Sequence, residues 1–413
     1  MKTSSEKVVL FNDKKDCCGC GACMNICPKD AIVMKEDEHG YLYPFIVYVK
    51  CISCGMCKKV CSYQDKTKPN TVDSTWVAAA KNDELIARSA SGGIFSVIAS
   101  EVINRKNGVV FGCAFEKIDG KLTPKHIKVT NMEGLKKLQG SKYVQSFIGN
   151  VYKEVKQELI TGKFVLFSGT PCQVEGLQGY LGKHYENLLA IDLICHGVPS
   201  TKFFQEYIKC LENKLKGTVH DFKFRDKTKG WGLRGKVEYY DLKGKYKYKL
   251  FTPALSSYYM LFLRGDIYRG NCYSCKYACE NRVGDLTIGD YWGIGKEHPE
   301  YLVESGGTFY EKRGISCVLV NTELGKRVLS DMKLELYLKP STFQKAAANN
   351  GQLREPCLAS NYRTEILEIY STAGYSGVEQ WYFKRLGIRK YIHILWNLTP
   401  VGVQKIIKKV VRI

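Results

Sequence analysis

The sequence predicts a small α+β domain wrapped around two cysteine rows, followed by an α/β domain on a mixed, largely parallel sheet. Three observations lead there. Nine of the eighteen cysteines fall between Cys17 and Cys61. From residue 75 onward, short apolar runs alternate with amphipathic stretches of helical period, the pattern of strands joined through helices. The 413 residues exceed what one core holds comfortably, so two or three domains are expected.

The two rows are built alike. Cys17, Cys20, Cys23 and Cys27 stand at C-x2-C-x2-C-x3-C and are followed by Pro28; Cys51, Cys54, Cys57 and Cys61 repeat the spacing. This is the bacterial two-cluster ferredoxin pattern, in which the fourth cysteine of each row ligates the other cluster. Cys17, Cys20, Cys23 and Cys61 are therefore expected to hold one [4Fe-4S] cluster, and Cys51, Cys54, Cys57 and Cys27 the second. Three cysteines on a tight loop reach three corners of a cubane, and the fourth ligand must come from elsewhere. Gly19, Gly21 and Gly55 permit the close backbone approach such loops need. A pair of zinc sites also uses C-x2-C, but does not require a third and fourth cysteine at these spacings twice over. Ser62 stands where the second row would carry a proline, and Cys18 reads as a spare packed thiol.

Composition narrows the class. Apolar residues make up 45% and charged residues 25%, ordinary for a globular protein. No apolar run is long enough to span a bilayer. The segment "MKTSSEKVVLFNDKKD" lacks the apolar core and cleavage site of a secretory signal, so a cytoplasmic location is expected. In that reducing compartment so many cysteines indicate metal rather than disulfides. The net charge of +21 is only partly offset by clusters carrying about −2 each with their thiolates. A basic surface favours an acidic redox partner protein, an anionic small-molecule substrate or cofactor, or an anionic membrane surface. No nucleic-acid recognition module accompanies the charge. A solvated basic surface without a partner is the plain alternative.

The chain divides as follows. Residues 1–65 form the two-cluster domain and 66–74, "KTKPNTVDS", a polar linker. Residues 75–155 open the large domain: "TWVAAA" (75–80) is a strand, "SGGIFSVIASEVINRKNG" (91–108) a helix stopped at Gly108, and "VVFGCAF" (109–115) a buried strand. Residues 150–161 form an amphipathic helix. Residues 156–330 then supply the strands "KFVLFSG" (163–169) and "LLAIDLIC" (188–195), with Pro171 opening a helix between them. A hairpin is expected around Lys243-Gly244, and further strands in "DLTIGDYWG" (285–293) and "ISCVLVN" (315–321). Residues 331–413 form a helical, basic tail, which either packs on its own domain or touches a membrane surface or partner.

Three motifs of the large domain carry chemistry. "GTPCQVEGL" (169–177) puts Cys172 just inside a helix N-terminus, where orphan N–H groups favour a thiolate. "DLICHGVPS" (192–200) ends a strand at Cys195, where α/β sheets place ligands. "CYSCKYACENRVGDLTIGDYWG" (272–293) offers the pair Cys272 and Cys275, with Cys279 close behind. Together with "SASGGIF" and "GSKYVQS", in this order, these segments resemble the beta subunit of coenzyme F-420-reducing hydrogenases and dehydrogenases. The likeness is to bacterial members that join an N-terminal two-cluster ferredoxin domain to the beta-subunit module. It runs to about Asn321, leaving 322–413 outside the specific motifs.

That resemblance implies FAD in the α/β domain and a third [4Fe-4S] cluster. Cys172, Cys195, Cys272 and Cys275 match its ligand positions, and Cys279 is the rival for the place of Cys172. Cys113, Cys210, Cys317 and Cys357 read as small buried hydrophobes. The flavin is expected at Ser89, Ser91, Gly92 and Gly93, where a helix N-terminus can meet a pyrophosphate. Ser141, Lys142, Tyr143 and Gln145 are also expected there, Lys142 either near the isoalloxazine N1 or simply solvated. Asp192 and His196 are either proton-handling neighbours of Cys195 or structural hydrogen-bonding groups. No G-x-G-x-x-G follows a strand, so a Rossmann dinucleotide site is not expected. The function implied is that of an oxygen-sensitive oxidoreductase of an anaerobe. It would pass electrons between a hydride donor or acceptor, coenzyme F-420 or another, and the clusters. The alternatives are a non-catalytic relay subunit docking on a separate enzyme, in surface-polysaccharide synthesis by analogy with relatives, and a regulatory cluster sensor.

Overall fold

The computed structural model describes residues 7–61, 63, 69–399 and 403. Ser62, the first residues of the 66–74 linker, and all of the tail beyond Thr399 except Val403 lie outside the described residues.

The N-terminal cysteine-rich domain is small. Strands β1 (Ile32–Glu36) and β2 (Leu42–Ile46) pair antiparallel, with Ile32 opposite Ile46. Two short helices, Ala22–Ile26 and Met56–Lys59, each start from a left-handed glycine, Gly21 and Gly55, inside a cysteine row. A β-carbon is rarely accommodated in that conformation, which lets each row turn back on itself at the third cysteine.

The body is built on eight strands: β3 (Ser74–Ala80), β4 (Val109–Ile118), β5 (Lys121–Val129), β6 (Val165–Gly169), β7 (Leu188–Leu193), and three more. With β8 (Gly217–Lys223), β9 (Gly235–Asp241) and β10 (Tyr246–Phe251) forming a separate three-stranded sheet, the remaining members are β11 (Leu286–Asp290), β12 (Ser316–Val320) and β13 (Leu336–Ser341). The order is β13-β3-β12-β11-β7-β6-β4-β5. Only β4, β6, β7 and β11 pair parallel with one another; the other four strands join antiparallel at the flanks. The sheet is thus mixed, with a parallel centre, rather than largely parallel. The hairpin around Lys243-Gly244 forms as β9 and β10.

The parallel centre is buried on both faces, so its strands read as unbroken apolar runs. Along each one, successive residues point to opposite cores. Val110, Leu166, Leu189 and Ile191 face the helix Ile94–Asn104, while Phe111, Phe167 and Ala190 face the helices Val151–Ile160 and Pro171–Leu181. A third, aromatic core joins the small sheet to the helices Thr201–Leu215, Ser257–Leu263 and Arg363–Leu386.

Two of the expected boundaries fall inside this sheet. A division at 155/156 separates β4 from its parallel partner β6, and one at 330/331 removes β13 from β3. Residues 336–341 form an edge strand of this sheet, paired with β3. Farther on, Ile366, Tyr370, Tyr375, Val378 and Tyr382 are buried in the aromatic core, so the helix Arg363–Leu386 packs on its own body.

Candidate redox site

The N-terminal rows close on two small cavities. Cys17, Cys20, Cys23 and Cys61 line one, and Cys27, Cys51, Cys54 and Cys57 line the other. Each cavity draws three cysteines from one row and the last cysteine of the other, the crossed arrangement of a two-cluster ferredoxin. Cys57 borders both cavities. Backbone amides already face sulfur: Ala31 N–H donates to Cys27 Sγ at 3.2 Å and Ser53 N–H to Cys51 Sγ at 3.4 Å. The donor set and the amides suit iron–sulfur clusters. Cys54 is the exposed member of the eight.

A third cavity opens where the parallel strands end. Cys172 follows β6 and Cys195 follows β7, adjacent parallel strands with Gly169 opposite Asp192. Cys272 and Cys275 arrive on the loop before β11, the next strand in the sheet. All four line this cavity. The carboxyl edge of parallel strands is where α/β sheets gather ligands. Burial pushes the Cys195 thiol up to about 12 and the Cys275 thiol up to about 11, so metal binding there must displace protons. Cys279 does not line the cavity; its thiol donates to the carbonyls of Lys276 and Asn281, both at 3.4 Å. Cys357 does line it, although its sequence context reads only as a packed thiol.

The loop bearing Cys272 and Cys275 is held by a buried ion pair. Arg282 donates to Asp192 at 3.1 Å and to the carbonyls of Tyr277 and Leu193, while the second Asp192 oxygen accepts from the Val283 and Gly284 amides. Asp192 is thus a structural anchor of the site. His196 borders both this cavity and a larger one, and desolvation lowers its pKa below the ordinary imidazole value.

The larger cavity, about 360 Å³, shares Thr170, Cys172, Cys195, His196, Gly197 and Val198 with the third. Its size is that of a small-molecule or cofactor site. Ser89, Ser91, Gly93, Ser141, Lys142, Tyr143 and Gln145 line it; Gly92 does not. Most of their polar side-chain groups are committed to protein. Ser89 Oγ donates to Leu85 O, Ser91 Oγ donates to Ile315 O, and the Gly92 amide donates to Ser316 Oγ. Lys142 Nζ donates to the carbonyls of Lys137, Gln139 and Gly140, capping the end of the helix Met132–Leu138. A ligand would also meet the start of the helix Ile94–Asn104, whose first residues line the cavity behind left-handed Gly93. A helix N-terminus of this kind suits a phosphate.

Three features of the wall were not legible in the motifs. Arg225 pairs with both Asp290 oxygens, at 2.6 and 3.1 Å, and lies over Trp292, which stacks on Trp231. Buried His126 donates from Nε2 to Ser168 O at 3.0 Å and accepts at Nδ1 from Ser146 Oγ at 2.8 Å. Ser146 in turn accepts from Gln173, whose other amide atom accepts from Thr170, whose hydroxyl lies 3.2 Å from Cys172 Sγ. Asn350, from the region expected to be tail, donates to Asp290 O and reaches the same wall.

The third cavity and the Cys17 cavity meet. Cys18, buried and lining the Cys17 cavity, lies beside Cys20 and Cys172 and so stands between the two. The helix Pro171–Leu181, which carries Cys172 in its first turn, passes Cys20 so closely that a β-carbon on Gly176 would lie 2.9 Å from the Cβ and Sγ of Cys20. Gln145 spans the same junction, donating to Cys18 O at 3.0 Å and accepting from buried Arg269. Four cavities are thus joined in series, from the large one to the exposed edge at Cys54.

Residues 162–345 match the family model for the C-terminal region of the coenzyme F420 hydrogenase/dehydrogenase beta subunit, and residues 8–66 match the 4Fe-4S dicluster domain. An uncharacterized ferredoxin of Methanocaldococcus jannaschii is 35% identical over 54 residues, which is 13% of this chain and 69% of that protein. An uncharacterized protein of the same organism is 25% identical over 194 residues, covering 40% of this chain. The chain spans about half, 52%, of that second relative's length. Among solved structures, a chain of the xenon-derivatized F420-reducing [NiFe] hydrogenase complex from Methanosarcina barkeri aligns with a TM-score of 0.38 at 14% identity. The alignment covers 79% of this chain and 97% of that one. Among the described residues, no helix is long and apolar enough to cross a membrane.

Proposed function

We propose, from the match of residues 162–345 to the C-terminal region of the coenzyme F420 hydrogenase/dehydrogenase beta subunit and of residues 8–66 to a 4Fe-4S dicluster domain, that the chain is an iron–sulfur flavoprotein oxidoreductase. It moves electrons between a hydride carrier, coenzyme F420 or a similar one, met at the large cavity and an acidic redox partner met at the Cys54 edge.

The observation that carries this reading is the shared wall. Cys172 and Cys195 border both the cofactor-sized cavity and the third cysteine cavity. Bound at these places, FAD would supply the exchange between hydride and single electrons, and three [4Fe-4S] clusters the one-electron route. The chain's own residues bind and position. Cys172, Cys195, Cys272 and Cys275 hold the third cluster, and the two crossed sets from Cys17 to Cys61 hold the others. The helix N-terminus behind Gly93 would receive the pyrophosphate, and Trp292 with the Arg225–Asp290 pair forms part of the same cavity wall. The His126–Ser146–Gln173–Thr170 chain would hold Cys172 in place beside a cofactor in the large cavity.

Anaerobic purification with iron, acid-labile sulfide and flavin measured per chain tests the reading. About twelve irons and one flavin are expected, with bleaching of the cluster absorbance on adding reduced coenzyme F420 or another hydride donor. About eight irons and no flavin would leave the dicluster domain alone and make the chain a relay for a separate enzyme.

A further inference from the structure

From residue 380 to the end, the sequence carries eight Lys or Arg residues and no Asp or Glu. The helix Arg389–Leu398 lies within this stretch. Ile388, Tyr391, Ile392, Leu395 and Leu398 follow one another at short helical spacings, and so share one face. All five are exposed, from 61% at Ile392 to 79% at Ile388. This is unlike the preceding helix, whose apolar residues sink into the aromatic core.

The other face is fixed to the body. Asn397 Nδ2 donates to Leu250 O at 3.1 Å, and Asn397 O and Oδ1 accept from Lys229 and Arg234. Lys390 lies over Phe383. The stripe therefore points away from the protein by construction, because its opposite side is anchored. Arg385 and Arg389 stand exposed beside it, and Lys405, Lys408, Lys409 and Arg412 follow in the sequence.

We propose that this helix is a peripheral docking surface for an anionic lipid bilayer. Ten residues give about 15 Å of helix, too short to cross a bilayer but suited to lie in its interface. An apolar stripe enters the headgroup boundary while neighbouring cations meet anionic headgroups. A second copy of the chain is disfavoured, since two like-charged, acid-free segments would face each other. Nucleic acid has no use for an aliphatic stripe. The surface is separate from every cysteine cavity, so it would bring the redox protein to a membrane without touching its chemistry.

The test is co-sedimentation of the full, cluster-loaded chain with vesicles of phosphatidylcholine alone and of phosphatidylcholine mixed with phosphatidylglycerol. Binding is expected on the mixed vesicles, about tenfold weaker on the neutral ones, and reduced by added salt. The double variant I392E/L395E changes only exposed side chains. It should abolish binding while keeping the cluster absorbance of the parent. No binding to either vesicle, equal binding to both, or unchanged binding by the variant overturns the proposal. So does a dimer that the variant converts to monomer without any vesicle binding, which would assign the face to a second copy.

Discussion

Arg269 Nε donates to the carbonyl oxygen of Cys17 at 2.9 Å, across 252 residues of sequence. The guanidinium is fully buried, lies 3.9 Å over the Tyr43 ring, and donates also to Leu42 O. Its NH2 sits 3.8 Å from Cys17 Sγ. A permanent cation in this dry junction stabilises negative charge on the neighbouring thiolates and on any cluster they hold, most strongly in the reduced state.

Replacing it should therefore shift a potential. In Arg269→Gln, the cluster at Cys17, Cys20, Cys23 and Cys61 is expected to fall by on the order of 100 mV in an EPR-monitored redox titration. Arg269→Lys keeps the charge and loses the forked contacts. It should recover much of the potential while loosening the junction between the two domains. An unaltered potential in the glutamine variant would reduce Arg269 to a structural strut.

Gly176 tests the junction from the other side. A methyl group there would meet Cys20 Cβ and Sγ at 2.9 Å and Tyr152 Oη at 3.0 Å, so something must move. Gly176→Ala is expected to destabilise the protein by about 1–3 kcal/mol. If Cys172, Cys195, Cys272 and Cys275 hold a cluster as proposed, the substitution should also weaken spin coupling between that cluster and the one at Cys20. Thermal unfolding and EPR of the reduced protein read the two effects separately. Normal coupling and stability would mean that the helix and the Cys20 loop do not touch in solution.

What the sequence reveals of this protein follows from how local each feature is. The cysteine rows are legible because three of the four ligands of a cubane sit within one short loop, and the crossed fourth repeats a known spacing. The buried strands β6, β7 and β12 are legible as unbroken apolar runs. Strand β13 is not: it is an edge strand with Pro340 in it and only Leu336 buried, so its sequence looks like surface. Antiparallel pairing at the flanks is equally hidden, since it depends on partners far away in the chain. Lys142 and Gln145 lie in a motif expected to serve a flavin, and both line the large cavity. Yet their polar groups serve helix capping and the Cys18 junction, a distinction only tertiary contacts make. Arg269, Asn350 and Cys357 carry no signal of their own, because what matters about them is what the fold brings alongside.

Cys279 and Cys195 separate by iron content. Cys279 turns its thiol toward two carbonyls outside the third cavity, whereas Cys195 lines it. Cys195→Ser is expected to lose about four irons per chain, and Cys279→Ser none. Cys357→Ser belongs in the same series. Cys357 lines the cavity in a segment far from the Cys-x2-Cys pair, and loss of iron there would displace Cys172 as the fourth ligand. The same measurement on Cys172→Ser closes the comparison.

His126 sets a pH limit on the large domain. Burial, helped by the nearby Lys142 charge and only partly offset by the Ser168 O contact, lowers its pKa from 6.5 to about 4. The folded protein thus binds this proton less readily than the unfolded chain. Stability from the neutral ring is complete above pH 6.5 and is lost as the pH falls toward 4, by about 1.4 kcal/mol per pH unit at most. Protonation would also put a second proton on Nδ1, where Ser146 now donates, and so break the chain that runs through Gln173 to Thr170. In His126→Gln the side-chain amide can still donate to Ser168 O but cannot titrate. Denaturant unfolding between pH 7 and pH 5 should therefore show a shallower decline for the variant than for the parent. Parallel curves would mean that His126 is solvated, or already charged, in the folded protein.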